Sequence, residues 1–254
     1  MDLIFISIMG GLWGSFANVC IFRLPFDKGV VSGRSYCPKC KKKINWYDNV
    51  PIFSYLLLRG KCRRCNKIIP QQYLIVELLS IICFVNIYLI FGITITTVLL
   101  MILSLAFIMI FFIDLKHFII PNEITFSMML LGFAKSFDPN LNIIFPNYIN
   151  SLIGGLFGYG IICGIIILYK KIRKKEGMGL GDAKLLAVIG FWFGWASIPF
   201  VLFSSSLIAL ISVIPSLLNK KKNISSEIPF GPFLILGCLL YLFFMNEYKN
   251  LLII

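Results

Sequence analysis

Two aspartates stand where a membrane-embedded chain tolerates them least. Asp114 closes the apolar run Phe111-Phe112-Ile113, and Asp182 opens another within Gly177-Met178-Gly179-Leu180-Gly181-Asp182. The chain has only 11 acidic residues and is 59% hydrophobic. An ionisable side chain at membrane depth is costly, so a carboxylate there points to function. Two carboxylates on one membrane face can share a proton, because like charges at close range drive their macroscopic pKa values apart. One then acts as base on a water while the other, protonated, polarises a carbonyl. That is the chemistry of aspartyl peptide hydrolysis. The sequence does not decide which aspartate takes which role.

Each aspartate also has a plainer reading. Asp114 sits at the C-terminal end of its apolar run, the wrong end of a helix dipole for an anion. Capping therefore does not explain it, and an ion pair with Lys116 or a solvated boundary position is the alternative. Asp182 precedes Ala183-Lys184-Leu185-Leu186, which looks like a helix start, and aspartate is a favoured N-cap. The glycines Gly177, Gly179 and Gly181 permit close backbone approach and unusual dihedrals, a pattern tolerated near a membrane where it lines a water-filled cavity. Capping and catalysis are compatible.

A second constellation is Cys37-Pro38-Lys39-Cys40 and Cys62-Arg63-Arg64-Cys65, two CxxC pairs separated by 21 residues. Four thiolates in tetrahedral array bind structural zinc and leave no open coordination position. Lys39, Arg63 and Arg64 favour the thiolate form. A pair of disulfides is the rival, and a reducing compartment disfavours it. A module this small lacks a large core, so metal binding would supply folding energy. Cys20, Cys83, Cys163 and Cys238 are isolated in apolar segments and read as small buried hydrophobes.

The elements that must position these groups follow from composition. The 254 residues have a mean hydropathy of +0.90 and 14% charged residues, against about 25% in soluble domains. Apolar runs of about 20 residues recur from end to end. They fall at roughly 3–22, 73–91, 95–113, 122–137, 149–169, 182–198, 199–218 and 229–248. The expected fold is an all-α polytopic membrane protein of about eight transmembrane helices, with a small cytoplasmic four-cysteine zinc module. Residues 1–24 form the first transmembrane helix, 25–72 the module and 73–254 the membrane-embedded core. Asp2 stands where a cleavable signal would have a basic region, and no small-residue cleavage site follows.

The net charge of +13 resembles a nucleic-acid signature, but its placement argues otherwise. Of 24 Lys and Arg, 12 lie between Arg23 and Lys67, six between Lys170 and Lys184, and three are Lys220, Lys221 and Lys222. Such clusters between apolar segments read as cytoplasmic loops. Eight spans with an outside N-terminus put every cationic loop inside, leaving Lys135, Lys249, the turn at Gly92 and the loop 138–148 outside. No internal repeat or low-complexity segment stands out.

Together these features resemble the type IV prepilin peptidases, bifunctional leader peptidase/N-methyltransferases of bacterial membranes. The resemblance is carried by Gly14-Ser15-Phe16-Ala17-Asn18-Val19 with Arg23-Leu24-Pro25, and by the two CxxC pairs flanking Asn49-Val50-Pro51-Ile52-Phe53-Ser54-Tyr55. It continues in Tyr73, Val76-Glu77-Leu78-Leu79, Asp114 with Ile120-Pro121-Asn122, Gly179 to Lys184, and Pro229-Phe230-Gly231-Pro232-Phe233. GxGD also occurs in presenilin-like proteases; the order and spacing of all the pieces is what is specific. The resemblance implies two catalytic aspartates, Asp114 and Asp182. It implies cleavage of a prepilin or pseudopilin leader after a glycine at the cytoplasmic face of a bacterial inner membrane. It further implies methylation of the new N-terminus by S-adenosylmethionine, and makes Glu77, Gly179, Gly181 and Lys184 candidates for contacting substrate or methyl donor. Leader and cytoplasmic face are both basic, so recognition is expected through the substrate's apolar helix in the lipid bilayer and through polar boundary groups such as Glu77. No nucleic-acid partner is implied.

Other motifs read more plainly. Glu77 is equally a boundary residue solvated at the headgroups. Asn18 reads as helix–helix glue, and Gly154, Gly155 and Gly158 as close packing. Pro229, Gly231 and Pro232 shape the entry to the last span. His117, the single histidine, reads as interfacial. There is no HExxH and no GxGxxG fingerprint. The competing class is an ion-coupled transporter or proton channel using the two aspartates as a relay.

Overall fold

The computed structural model describes residues 1–30, 36–37, 39–141, 144–174, 179–218 and 228–252. Pro38, Lys175, Gly177, Met178 and the Lys220–Lys222 cluster lie outside the described residues. Among the described residues the regular structure is helical, with no β-strand and only the isolated bridges Tyr36–Lys43 and Lys61–Ile68. Each of the eight apolar runs is a helix: α1 (Asp2–Arg23), α3 (Gln72–Phe91), α4 (Ile95–His117), α5 (Asn122–Ala134), α6 (Tyr148–Arg173), α7 (Leu180–Phe193), α8 (Ser197–Leu218) and α9 (Gly231–Leu252). The short α2 (Phe53–Leu57) belongs to the cysteine module.

Among the described residues, five helices are long and apolar enough to cross a membrane: α1, α3, α4, α6 and α8. Helices α5 and α7 have 13 and 14 residues, and the apolar part of α9 is Gly231–Met245. A span of about 20 residues is the usual requirement.

The chain divides into two compact units, Met1–Ile113 and Asp114–Ile254. In the first, α1 packs against α3 through glycines. A Cβ at Gly14 would lie 2.9 Å from the Glu77 Cα, so only a bare backbone fits there. Asn18 Nδ2 donates to the Tyr73 carbonyl at 3.0 Å, the interhelical bond expected of it. Glycine at φ +62° ends α3 at Gly92.

In the second unit α7 is the central element, buried from Leu185 to Gly190. Gly154 of α6 meets Gly190 of α7 backbone to backbone, where neither position has room for a Cβ. Trp192 Nε1 donates to the Met128 carbonyl of α5 at 2.9 Å. Lys135, expected at the outer end of the fourth apolar run, is buried. Its Nζ lies 3.8 Å from the Phe145 ring centre and donates to the Trp192 carbonyl at 3.1 Å, capping the last turn of α7.

Candidate functional site

Asp114 lies in the last turn of α4, 5% exposed. Phe118, at φ 56°, returns its N–H to the Asp114 carbonyl and ends the helix in the left-handed region. The reversal carries Ile120 into the interior, and Pro121 then precedes the start of α5 at Asn122. Ile120 is the hinge of the site. A Cβ at Gly181 would lie 3.1 Å from the Ile120 Cβ, and one at Gly231 would lie 3.2 Å from its Cδ1. The first turn of α7 and the first residue of α9 therefore close on one buried side chain.

Asp182 is the third residue of α7 and is 8% exposed. It is not the N-cap, a position that Gly179 occupies with extended dihedrals. Its carboxyl instead takes a backbone hydrogen bond at Gly179, the reach-back of a third-position acid to the cap. Asp114 receives the N–H of Gly231 on Oδ2 at 3.0 Å. Each carboxyl is thus met by one backbone amide at a helix start, and Asp114 lies near enough for its charge to bear on Asp182. The two aspartates expected to cooperate are brought together within one compact unit. Lys116 is exposed to solvent.

The remaining residues of this motif have definite places. A Cβ at Gly181 would press on the Ile120 side chain, and neither Gly179 nor Gly181 has a positive φ. Lys184 Nζ donates to Asn122 Oδ1 at 2.6 Å and lies 5.6 Å from the Phe126 ring centre, joining the starts of α7 and α5. Asn122 and Gly231 were visible in sequence only as parts of short motifs, with no role beyond an element boundary.

A second set of groups gathers in the first unit. The sulfur atoms of Cys37, Cys40, Cys62 and Cys65 all lie within 4.8 Å of one another, and Cys37 Sγ is 3.9 Å from Cys65 Sγ. A tetrahedron with metal–sulfur bonds of about 2.3 Å has edges of about 3.8 Å, so the donor set fits a four-thiolate site. The two halves repeat in structure. Cys37 N–H bonds the Lys42 carbonyl and Lys41 N–H the Cys37 carbonyl; Cys62 N–H bonds the Lys67 carbonyl and Asn66 N–H the Cys62 carbonyl. Lys41 and Asn66, each one residue past its CxxC pair, are both left-handed, at φ 55° and 52°. This repeat of backbone geometry leaves little trace in side-chain identity. The amides of Arg64 and Cys65 pull the Cys62 thiol down to about 7, toward the thiolate that a metal needs.

Glu77, in α3, is buried, not solvated at a boundary. Its Oε2 accepts the Ile52 N–H at 2.8 Å. Ile52 is the centre of a tight turn at φ 62°, ψ −54°, closed by Phe53 N–H to the Pro51 carbonyl at 2.6 Å. A β-branched residue in that region is strained, so the buried carboxylate anchors a strained loop of the module to α3. Beside it is a cavity lined in part by Ser15, Asn18, Tyr36, Tyr73 and Glu77.

Residues 8–91 match the Bacterial Peptidase A24 N-terminal domain, and residues 101–214 match the type IV leader peptidase family. A prepilin leader peptidase/N-methyltransferase of Vibrio cholerae is 35% identical, over 95% of this chain and 96% of that one. The proteins of the same description from Aeromonas hydrophila and Pseudomonas aeruginosa are 33% and 31% identical, over 88% and 91% of this chain and 84% and 86% of theirs. No solved structure matches the chain significantly. With both domains present in order and the relatives aligned along nearly their full length, the chain belongs to the type IV leader peptidase family.

Proposed function

We propose that this chain is a membrane aspartyl endopeptidase that removes the leader of type IV prepilin-like proteins and methylates the N-terminus so formed. The observation that carries the reading is the meeting of Asp114 and Asp182 on the Ile120 hinge, each carboxyl held by a backbone amide. Family membership gives the relay-only transporter reading no support.

In the cleavage step one carboxylate takes a proton from water, and the hydroxide formed attacks the scissile carbonyl carbon. The other carboxyl donates its proton to the carbonyl oxygen, giving a neutral gem-diol. Collapse breaks the C–N bond: a hydroxyl of the gem-diol returns its proton to the second carboxylate, and the proton taken from water passes from the first carboxyl to the leaving amine. Gly179 leaves the backbone beside Asp182 open to an extended substrate, and Lys184 holds the start of α7 against α5.

For methyl transfer, S-adenosylmethionine supplies a methyl group on a positively charged sulfur. The carboxylate of Glu77 and the rings of Tyr36 and Tyr73, lining one cavity, fit a cationic, aromatic ligand. Glu77 would orient the cationic methyl donor there. Cys37, Cys40, Cys62 and Cys65 would hold a zinc ion, which would stabilise the module with no open coordination position for substrate.

The chain is read as a multi-pass inner-membrane protein of eight spans, with α5, α7 and α9 completing the set. The first helix is 1–24, the module 25–72 and the core 73–254. The N-terminus faces outward; the module and the aspartates face the cytoplasm. The pilin's apolar helix lies in the lipid beside the enzyme.

The test is incubation of the full chain with a model prepilin and S-adenosylmethionine, with the product's N-terminus read by mass spectrometry. Cleavage after the leader glycine and a gain of one methyl are expected. Intact substrate, with proton flux in proteoliposomes, would end the peptidase reading.

A further inference from the structure

The motif Pro229-Phe230-Gly231-Pro232-Phe233 reads from sequence as the entry to the last span, and the structure gives one of its residues a different task. Asp114 lies at the C-terminal end of α4, where the helix's free carbonyls oppose a negative charge, and it is almost wholly removed from water. Asp182 is buried as well, but it stands in the first turn of its own helix and bonds Gly179 there. A donor for Asp114 has to come from a distant part of the chain. Gly231, the first residue of α9 and 117 positions away, supplies it: N–H to Oδ2, 3.0 Å, buried. At a helix start this amide has no partner within its own helix, and it points along the positive end of the dipole. A Cβ there would stand 2.7 Å from Asp114 Oδ2, so any other residue would push the carboxyl from this position.

We propose that Gly231 is a positioning residue of the peptidase site, whose backbone N–H binds Oδ2 of Asp114 and fixes which carboxyl oxygen is left to face the reacting water. The proposal rests on the reading of Asp114 as one half of the catalytic pair. The charged groups on the surrounding elements are Asp182 and Lys184 on α7, Glu123 on α5, and Lys116 and His117 on α4 itself; the first turn of α9 carries none. Of these, Asp182 is the one whose carboxyl couples to Asp114.

Two substitutions separate the amide from the space it occupies. Gly231→Ala adds the Cβ and keeps the donor. Gly231→Pro adds a ring and removes the donor, at a first helical position that accepts proline. Loss of a charge-assisted bond predicts a fall in kcat for prepilin cleavage of roughly tenfold or more in the proline variant, with KM little changed. The acid limb of its pH–kcat profile moves to higher pH, because the ionised form has lost its donor. Alanine gives the same changes in smaller measure, and methyl transfer to a pre-cleaved pilin peptide persists in both. Gly237→Ala is the control for packing. Its Cβ would stand 2.9 Å from Ser204 Oγ, far along α9, and it lowers yield without moving the acid limb. A proline variant with wild-type kcat and acid limb overturns the proposal, as does one that only repeats the Gly237→Ala pattern. If the proline variant also loses methyl transfer, the alanine variant decides, and an unmoved kcat and acid limb there overturns it. Cleavage by Asp114→Asn, in contrast, would sink the catalytic pair itself.

Discussion

Lys184 Nζ donates to Asn122 Oδ1 over 2.6 Å, joining the start of α7 to the start of α5 two residues from Asp182. The bond lies toward solvent, with the ammonium also beside the Phe126 ring, so it acts as a clasp on the rim of the site. Lys184→Met keeps the length and removes the donor. An exposed charged hydrogen bond contributes about 1 kcal/mol, so cleavage is expected to fall roughly fivefold with the protein still inserted. Asn122→Ala should cost the same, and the double variant no more than either single one. Purified variants assayed side by side give the cycle; fully additive losses would mean that the two residues act separately.

Asp114→Asn and Asp182→Asn each remove a proton-transfer group without changing shape. Each is expected to lower prepilin cleavage by about 10³-fold or more. Methyl transfer to a pre-cleaved peptide should survive in both, since Glu77 and its cavity belong to the other compact unit. Immunoblots for uncleaved substrate and mass spectra of the methylated peptide read the two activities apart.

Glu77→Ala leaves the half-buried Ile52 N–H without its acceptor, at a cost of about 1 kcal/mol, and releases the strained turn. Methyl transfer is expected to fail and protease sensitivity of the module to rise. Glu77→Gln keeps an acceptor oxygen but loses the charge. If the carboxylate serves only the turn, the glutamine variant retains methylation; if it contacts the methyl donor, methylation falls while the module stays resistant.

One zinc per chain is expected by elemental analysis, with loss of metal in any single Cys→Ser variant of Cys37, Cys40, Cys62 or Cys65. Because a structural metal contributes folding free energy outright, chelation should expose the module to proteolysis. Cys163→Ser, in the middle of α6, is the control that leaves the metal in place.

Leader and module are both basic, so reversing Lys41, Lys42 and Lys43 to glutamate should not abolish cleavage, provided the module keeps its metal. Loss of processing by a folded triple variant would mean that the basic face restrains or orients the leader after all. The comparison is initial cleavage rate at two salt concentrations.

The sequence alone determined which residue types the chemistry had to use. A chain this poor in acids cannot place Asp114 and Asp182 inside apolar runs without a reason. The CxxC spacing likewise pointed to one cluster of four thiols, and the eight apolar runs each became a helix because period and length are local properties. What tertiary structure decided is everything that depends on long-range partners. Lys135 is expected at the outer end of an apolar run and is buried on aromatic rings at the end of α7. Glu77 reads as a boundary acid and instead accepts the amide of a strained loop. Gly231 reads as a hinge at the mouth of a helix and gives its N–H to an aspartate 117 residues earlier. Backbone donors have no side-chain signature, so no pattern of residue types can announce where an amide will point; that is fixed only when the helices pack.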